Sequence, residues 1–347
     1  MRTITWNEDT QKVEMIDQRL LPQEFKINSY NRYQDVAEAI QTMVIRGAPA
    51  IGAAAAFGLA LAGFQSEATS KAGLMDDLKS AGEFLKKARP TAVNLAWAVK
   101  RMLRAADAFE GSADELREHL KNLAKALADE DVEVNKRLAE YGAALIEDGD
   151  HIVHHCNTGA LATVDWGTAL GVIRMAHEQG KNIHVFVDET RPRLQGARLT
   201  AWELEQYGIP YDIITDGASG YLMRRGLVQK VIFGADRVAA NGDVANKIGT
   251  YMLALAAYDN GIPAYAALPM STIDFELERG DLIPIEEREA AEVLQLQLME
   301  KRVTPENASA RNFAFDVTPG RLISAWITEV GVIHPPFKAN IKAAMAE

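Results

Sequence analysis

The sequence predicts an α/β protein with a doubly wound parallel sheet in its C-terminal part. A mainly helical N-terminal part with a small antiparallel β-meander is expected to precede it. After residue 148, short β-rich runs alternate with helical stretches, which is the pattern of a parallel sheet with crossover helices. Before that point, apolar residues recur at helical spacing. A chain of 347 residues suits two domains, which we place at residues 1–147 and 148–347.

The N-terminal part begins with the predicted β-meander, in which residues 3–6 and 12–16 are alternating runs around a polar turn. Helices are expected from residue 31 onwards. One segment, residues 48–64, carries no charge and resembles a membrane span. It is shorter than the ~20 residues that a bilayer requires, so we expect a buried helix. The run 114–146 has mixed charges at helical spacing and predicts a largely solvated helix.

The C-terminal part is expected to contain the parallel sheet. The predicted strands are residues 151–155, 183–187, 211–214, 230–233, 264–268 and 322–327. The predicted helices between them are residues 164–179, 195–207, 219–225 and 247–260. In such sheets ligands bind at the carboxyl ends of the strands. Because nearly every strand is followed by groups that bind or catalyse, we expect a small-molecule site at these ends.

Composition argues against several classes of protein. The formal net charge is −11 and no basic stripe is present, so nucleic-acid binding is not expected. The first strand is followed by Cys156-Asn157-Thr158-Gly159 in place of the Gly-x-Gly-x-x-Gly fingerprint, which argues against a nicotinamide cofactor. A single cysteine permits no intramolecular disulfide, and the N-terminus lacks the apolar run of a signal peptide. We therefore expect a cytoplasmic protein.

Cys156 and Asp236 are the first candidates for catalysis. Cys156 follows a strand and precedes a predicted helix N-terminus, which lowers a thiol pKa; the alternative is a small buried hydrophobe. Asp236 follows the apolar run 231–234, and apolar surroundings raise a carboxyl pKa so that the acid keeps its proton near neutral pH. The alternative for Asp236 is a helix N-cap. Arg237 would oppose the raised pKa if its guanidinium faced the carboxyl group.

Other groups suit an anion better than a metal. Arg46 and Arg89 each precede a predicted helix start, and two such arginines suggest anion clamps that face one cleft. Asn246 and Lys247 begin another predicted helix and offer donors to a phosphate. Three histidines lie within residues 151–155, but no cysteine or carboxylate set completes a ligand sphere around them. We expect no metal.

Several long motifs together resemble one known family. They are RGAPAIG at residues 46–52, RPTAVNL at 89–95, HCNTG at 155–159, ETRPRLQG at 189–196, GADR at 234–237, and NGD at 241–243 with NKIGT at 246–250. With HPPF at 334–337, the match extends over essentially the whole chain. The chain resembles the methylthioribose-1-phosphate isomerase family, the aldose–ketose isomerases of methionine salvage.

The resemblance implies a small N-terminal domain, a Rossmann-like C-terminal domain and a homodimer. It implies conversion of 5-methylthioribose 1-phosphate to 5-methylthioribulose 1-phosphate without a metal or an organic cofactor. Cys156 and Asp236 would be the catalytic pair. The substrate contacts that the resemblance implies are Arg46, Gly47, Ala48, Arg89, Gln195, Asn246 and Lys247.

The phosphate on the anomeric oxygen prevents simple ring opening, so we expect Asp236 to protonate the ring oxygen. Cys156 would move or stabilise the proton that passes between C2 and C1. One alternative is a related isomerase of ribose 1,5-bisphosphate or 5-deoxyribose 1-phosphate. Another is a non-catalytic relative of the alpha, beta and delta regulatory subunits of eukaryotic translation initiation factor two B. Such a subunit is not expected to retain both Cys156 and Asp236.

Overall fold

The computed structural model describes residues 1–90 and 92–344, so Thr91 of the RPTAVNL motif lies outside the described residues. Contacts divide the chain into two compact units. Unit 1 comprises Met1–Asn135 and Gly159–Gly167, and unit 2 comprises Lys136–Thr158 and Thr168–Glu347. The chain first passes from unit 1 to unit 2 inside a long helix, whereas the domain boundary predicted from sequence lies at residue 148.

Unit 1 begins with an antiparallel sheet of order β1-β2-β3. The strands are β1 Ile4–Asn7, β2 Lys12–Ile16 and β3 Ile27–Tyr30. Residues alternate between buried and partly exposed along β1 and through most of β2, which confirms the predicted meander. The strand β3 was not predicted, because its residues are exposed or partly exposed and give no apolar alternation.

Helices form the rest of unit 1. They are α1 Tyr33–Gln41, α2 Ala48–Gln65, α3 Lys71–Ala88, α4 Val93–Ala108 and α5 Ala113–Ala143, the last of which ends in unit 2. By length and composition α2 could cross a membrane, yet its residues are mostly buried inside the protein. The prediction of a buried helix is therefore confirmed. Small side chains let α2 pack closely: a Cβ on Gly52 would lie 3.3 Å from the carbonyl oxygen of Asn94 in α4.

Unit 2 contains the parallel sheet. Its strands are β4 His151–His154, β5 His184–Asp188, β6 Tyr211–Ile214, β7 Lys230–Phe233, β10 Ala264–Ala267, β15 Ala325–Thr328 and β16 Gly331–Ile333. They lie in the order β16-β15-β10-β7-β4-β5-β6, and β16 alone of these runs antiparallel to its neighbour. The predicted fold class, an α/β protein with a Rossmann-like C-terminal sheet, is confirmed.

A second, smaller sheet lies within unit 2 and was not predicted. Its strands are β8 Arg237–Ala239, β9 Val244–Lys247, β11 Ile273–Asp274 and β14 Phe315–Thr318, in the order β11-β8-β9-β14. A short hairpin of β12 Gln297–Leu298 and β13 Lys301–Arg302 lies further along the chain. Strands of two or three residues, such as β8, β11, β12 and β13, carry too few side chains to show a period of two.

The helices of unit 2 begin later than predicted in two cases. They are α6 Ala169–Glu178, α7 Ala201–Tyr207, α8 Ser219–Arg224, α9 Thr250–Asp259, α10 Ala291–Leu294 and α11 Phe337–Ala344. The start of α6 was placed at residue 164, but residues up to Gly167 belong to unit 1. The start of α9 was placed at residue 247, but Lys247 ends β9, where it pairs with β14. The prediction that Asn246 and Lys247 begin a helix is wrong.

The strand order contains a topological switch point. The chain enters the sheet at β4, adds β5 and β6 on one side, and then returns to add β7 on the other side of β4. The connections after β4 and after β7 therefore leave in opposite directions. In doubly wound sheets the crevice outside the carboxyl ends at this point is the usual ligand site.

Candidate active site

The two candidate catalytic residues follow the two strands that flank the switch point. Cys156 lies two residues after β4, and Asp236 lies three residues after β7. The strands pair directly, with His154 opposite Ile232 at their carboxyl ends, and paired strands run about 4.8 Å apart. The structure therefore brings Cys156 and Asp236 to neighbouring strand ends, where the sequence predicted a site.

Cys156 has an unusual backbone conformation. Its side chain is buried and its φ is +66°, in the left-handed region that residues with a Cβ seldom adopt. Such a conformation costs about 1–3 kcal/mol and persists only where surrounding contacts impose it. The expected helix N-terminus does not follow it: a three-residue 3-10 turn at Ala160–Ala162 comes next, and α6 begins at Ala169. The prediction that a helix begins directly after Cys156, with its N-terminus beside the thiol, is therefore wrong.

Asp236 differs from its predicted environment. The preceding strand is mostly buried, but Asp236 itself is exposed, unlike the apolar setting that the sequence predicted. Its backbone N–H donates to the carbonyl oxygen of Ala245 at 2.9 Å, which places it beside β9. The neighbouring Arg237 points away to Asp274, with Nη2 at 2.6 Å from Oδ2, and this contact lowers the pKa of Asp274.

Asn246 and Lys247 lie at the end of β9, directly after the residue that receives the Asp236 N–H. Both are buried. The Asn246 Nδ2 donates to Thr250 Oγ1 at 2.9 Å. The Lys247 ammonium donates to the carbonyl oxygen of Ala314 at 2.9 Å and lies 4.7 Å from the centroid of the Phe315 ring. The structure thus places these two predicted phosphate donors near Asp236. They lie on a strand and not at the start of a helix.

Gln195 precedes a π-helical turn, Gly196–Thr200, which continues into α7. Its side chain is 8% exposed, and its buried Oε1 has no hydrogen-bond partner among the described residues. A buried acceptor without a donor is costly, so such a group suits a ligand that supplies the donor. The turn lies close to β5, because a Cβ on Gly196 would be only 1.8 Å from the carbonyl oxygen of Asp188. Only glycine fits there.

His155 forms a buried polar network that the sequence did not reveal. Its Nδ1 lies 2.9 Å from Asp188 Oδ2, and its Nε2 lies 2.9 Å from the carbonyl oxygen of Ile248. Ser219 donates to the second carboxylate oxygen of Asp188. Burial favours the neutral ring, but the hydrogen bond and charge of Asp188 outweigh it and raise the pKa of His155. The network ties the ends of β4 and β5 to the connection after β9.

The same network includes the group of described residues that could hold a metal ion: His155, Asp188 and Asp216 have ligand atoms within 4.8 Å of one another. Hydrogen bonds already engage these atoms. The carboxylate of Asp216 accepts the backbone N–H groups of Thr190 at 2.7 Å and Arg191 at 2.8 Å. We assign this cluster a structural role. Residues 188 and 216 are distant from 155 in sequence, so spacing gave no signal of their meeting.

The remaining predicted contacts lie in unit 1. Gly47 is the N-cap of α2, which begins at Ala48. Arg89 is the C-cap of α3 and lies four residues before the first residue of α4, Val93, so it does not directly precede a helix start as predicted. A Cβ on Gly52 would lie 3.3 Å from the carbonyl oxygen of Asn94, so the N-terminal parts of α2 and α4 lie close together. Helix N-termini favour anions.

A unit 1 segment packs against the first of these loops. Gly47 has φ +95°, and a Cβ there would lie 2.2 Å from the carbonyl oxygen of Ala162. Gln18 joins the two by accepting from Arg46 Nε at 3.2 Å and donating to the carbonyl oxygen of Leu161 at 2.7 Å. The loop is therefore connected to Gly159–Gly167 directly at Ala162 and through Gln18 at Leu161, and this segment follows Cys156 in sequence after only two residues.

A model of the initiation factor 2 subunit family matches residues 44–335 of the chain. The chain belongs to this family. A Geobacter metallireducens protein named methylthioribose-1-phosphate isomerase is 54% identical to it over 99% of this chain and 98% of that protein. The resemblance predicted from the motifs is confirmed.

Two solved structures share the fold over nearly the whole chain. A 5-methylthioribose 1-phosphate isomerase from Pyrococcus horikoshii is 47% identical with a TM-score of 0.93, covering 99% of this chain and 96% of that one. A structure titled translation initiation factor eIF-2B, subunit delta, from A. fulgidus is 44% identical with a TM-score of 0.90 and full coverage of both chains. The fold is thus shared by proteins whose titles name an enzyme and a translation factor.

Proposed function

We propose that the protein converts 5-methylthioribose 1-phosphate to 5-methylthioribulose 1-phosphate in methionine salvage. The observation that carries this proposal is the placement of Cys156 and Asp236 at neighbouring strand ends of the switch point. It is supported by relatives of about 50% identity over nearly the full length that bear the isomerase name. Fold alone does not decide an activity, so we assign it from these residues.

Four proton movements complete the reaction. Asp236 donates a proton to the ring oxygen, whose bond to C1 breaks. Cys156, as thiolate, removes the proton from C2, which forms a C1–C2 double bond. The 2-hydroxyl then returns its proton to Asp236 as the C2 carbonyl forms, and C1 takes the proton held by Cys156. The phosphate stays on C1 throughout, and the two residues end as they began.

Asp236 must be protonated before it can donate. Because its side chain is exposed in the free protein, we propose that the bound substrate excludes water from the carboxyl group and so favours its neutral form. This differs from the role first expected of the apolar strand. The proton would then be taken up together with substrate.

The substrate contacts proposed are Arg46, Gly47, Ala48, Arg89, Gln195, Asn246 and Lys247. The cations and the helix starts of unit 1 suit the phosphate group. The buried Oε1 of Gln195 suits a sugar hydroxyl, because it accepts and a hydroxyl donates. Replacing Arg46 or Arg89 by alanine is expected to raise KM at least tenfold in a steady-state assay, and an unchanged KM would remove that residue from the site.

We further propose a cytoplasmic homodimer, which light scattering would show at about 76 kDa, twice the 38.0 kDa of the chain.

Comparison of three sugar phosphates tests the proposal. The purified protein is assayed with 5-methylthioribose 1-phosphate, 5-deoxyribose 1-phosphate and ribose 1,5-bisphosphate. We expect kcat/KM for the first to exceed that for the bisphosphate at least tenfold. Preference for the bisphosphate would indicate the related isomerase. No turnover of any of the three would favour the regulatory-subunit alternative, which the similarity to the A. fulgidus structure keeps open.

The fate of the transferred hydrogen tests the role of Cys156. With the reaction run in deuterated water, the thiolate route predicts deuterium at C1 of the product, because the thiol exchanges its proton with solvent. Product without any label would indicate a direct hydride shift from C2 to C1. Cys156 would then act only on the charge of the transition state.

A further inference from the structure

We propose that Thr190 and Thr200 are positioning residues whose hydroxyl groups hold Cys156 in its left-handed backbone conformation and so fix the direction of its thiol. The importance of that direction rests on the isomerase function proposed above. The geometry itself belongs to the free protein and can be tested without substrate. Thr190 lies within the ETRPRLQG motif but was given no role there, and Thr200 lies outside the motifs.

Thr190 holds the amide side of Cys156. The Cys156 N–H donates to Thr190 Oγ1 at 2.9 Å. The same hydroxyl donates its one proton to the carbonyl oxygen of Asp188 at 2.9 Å. A carbonyl oxygen can only accept, so the direction of both hydrogen bonds is fixed. Thr190 is itself held, because its own N–H donates to Asp216 Oδ1 at 2.7 Å.

Thr200 holds the carbonyl side of Cys156. Its hydroxyl donates to the Cys156 carbonyl oxygen at 2.7 Å and accepts from Asn157 Nδ2 at 3.1 Å. Asn157 Nδ2 also donates to Glu203 Oε1 at 2.8 Å. Thr190, Thr200 and Glu203 are fully buried, so water does not replace these partners when one is removed.

The two threonines lie in different elements, so they restrain the Cys156 backbone from two sides. Thr190 lies in the connection after β5, and Thr200 ends the π-helical turn. Moving Cys156 to a negative φ would rotate its flanking peptide groups and break the hydrogen bonds on both sides. A π-helical turn is an uncommon element that often occurs at functional sites. Here it delivers one hydroxyl to the Cys156 carbonyl and follows Gln195, a proposed substrate contact.

Isosteric substitutions separate the hydroxyl from the packing. Thr200→Val and Thr190→Val remove the hydroxyl at nearly constant volume, whereas Thr200→Ser and Thr190→Ser keep it. Thr318→Val is the matched control, since Thr318 is equally buried in unit 2 and its hydroxyl has no hydrogen-bond partner within the described part of the chain. We expect each Thr→Val at 190 or 200 to lower kcat at least tenfold with KM changed less than threefold. The serine variants and Thr318→Val should stay within threefold of the parent in both constants.

Cys156 is the sole cysteine, so alkylation by iodoacetamide reports on this thiol alone. Without substrate, the alkylation rate of folded Thr200→Val or Thr190→Val should differ at least fivefold from the parent, and those of the serine variants and Thr318→Val less than twofold. Parent-like alkylation and kcat in both valine variants would overturn the proposal. If the valine variants show altered alkylation but Cys156→Ser keeps full isomerase activity, the proposed geometry is upheld and the proposed function is refuted.

If a valine variant fails to fold, the same substitution is made in a Cys156→Gly background, and the folding of the double variant is compared with that of Cys156→Gly alone. Glycine adopts φ +66° without an imposed restraint, so in this background removing a hydroxyl costs its hydrogen bonds but no longer leaves a strained backbone unrestrained. Recovery of a cooperative thermal transition in the Cys156→Gly/Thr200→Val double variant supports the proposal. Failure of that double variant to fold, while Cys156→Gly alone folds, contradicts it.

Discussion

His154, the last residue of β4, is fully buried directly beside the candidate site. Its Nδ1 lies 2.9 Å from the carbonyl oxygen of Ile232, which only accepts, so Nδ1 carries the hydrogen. Nε2 is then an acceptor and lies 3.3 Å from Thr158 Oγ1. Burial is the main cause that lowers the pKa of His154 to about 4, so the ring is neutral at physiological pH.

This lowered pKa predicts a loss of stability in acid. The unfolded chain binds a proton at His154 below about pH 6.5 and the folded protein does not, so stability falls as the pH drops from 6.5 towards 4. A shift of that size corresponds to about 3 kcal/mol. In His154→Asn, which keeps a donor towards Ile232, urea unfolding from pH 7 to 4.5 should show a shallower decline than in the parent. Parallel curves for the two proteins would show that folding does not lower the pKa of His154.

At the residue scale, position after a strand singled out Cys156 and Asp236, and the structure places both residues after strands as expected. Their catalytic roles are a proposal. Their surroundings could not be predicted, because exposure and hydrogen-bond partners depend on elements that meet only in the fold. Asp236 is exposed where an apolar setting was expected. His155 gains Asp188 from 33 residues away.

At the scale of elements, Gly47 shows how a close approach fixes one loop. A Cβ at this position would overlap the backbone of Ala162 at 2.2 Å, and φ is +95°. Gly180 has a similar φ of +87°, but a Cβ there would meet nothing within 4 Å beyond its chain neighbours. Alanine substitutions at the two glycines therefore separate the free-energy cost of the backbone conformation from that of steric overlap.

We expect Gly180→Ala to lower the free energy of unfolding by about 1–2 kcal/mol, the cost of a left-handed conformation for a residue with a Cβ. Gly47→Ala should lower it by at least about 2 kcal/mol more, because backbone atoms must move apart. Urea denaturation with a common m-value measures both. Equal losses in the two variants would mean that Ala162 does not approach Gly47 in solution.

Whether a strand or helix was predicted correctly depended on how many consecutive residues carry its sequence pattern. The strands β6 and β7 have the predicted bounds, Tyr211–Ile214 and Lys230–Phe233, because each forms a compact run between turn residues. The sheet of β8, β9, β11 and β14 was missed, since its pairing joins segments that are far apart in the sequence. That sheet also explains the late start of α9: Val244–Lys247 is taken up by β9, where an antiparallel partner outweighs the local preference for a helix.

At the scale of the whole molecule, the fold is common to proteins titled as isomerases and as translation initiation factor subunits. These two structures match the chain at 47% and 44% identity, so similarity of fold does not by itself assign the chemistry. What favours an enzyme is local: a thiol and a carboxyl group at adjacent strand ends, with a buried acceptor on Gln195.

We propose that Cys156 and Asp236 act together on 5-methylthioribose 1-phosphate. The most direct measurement is kcat for this substrate in the parent, Cys156→Ser and Asp236→Asn, with unfolding temperature as the control for folding. Removing a group that transfers a proton at the reacting atoms typically costs about 10²–10⁴-fold. We predict that both variants remain folded and that kcat falls by that range in each. Full activity in folded Cys156→Ser or Asp236→Asn would contradict the account.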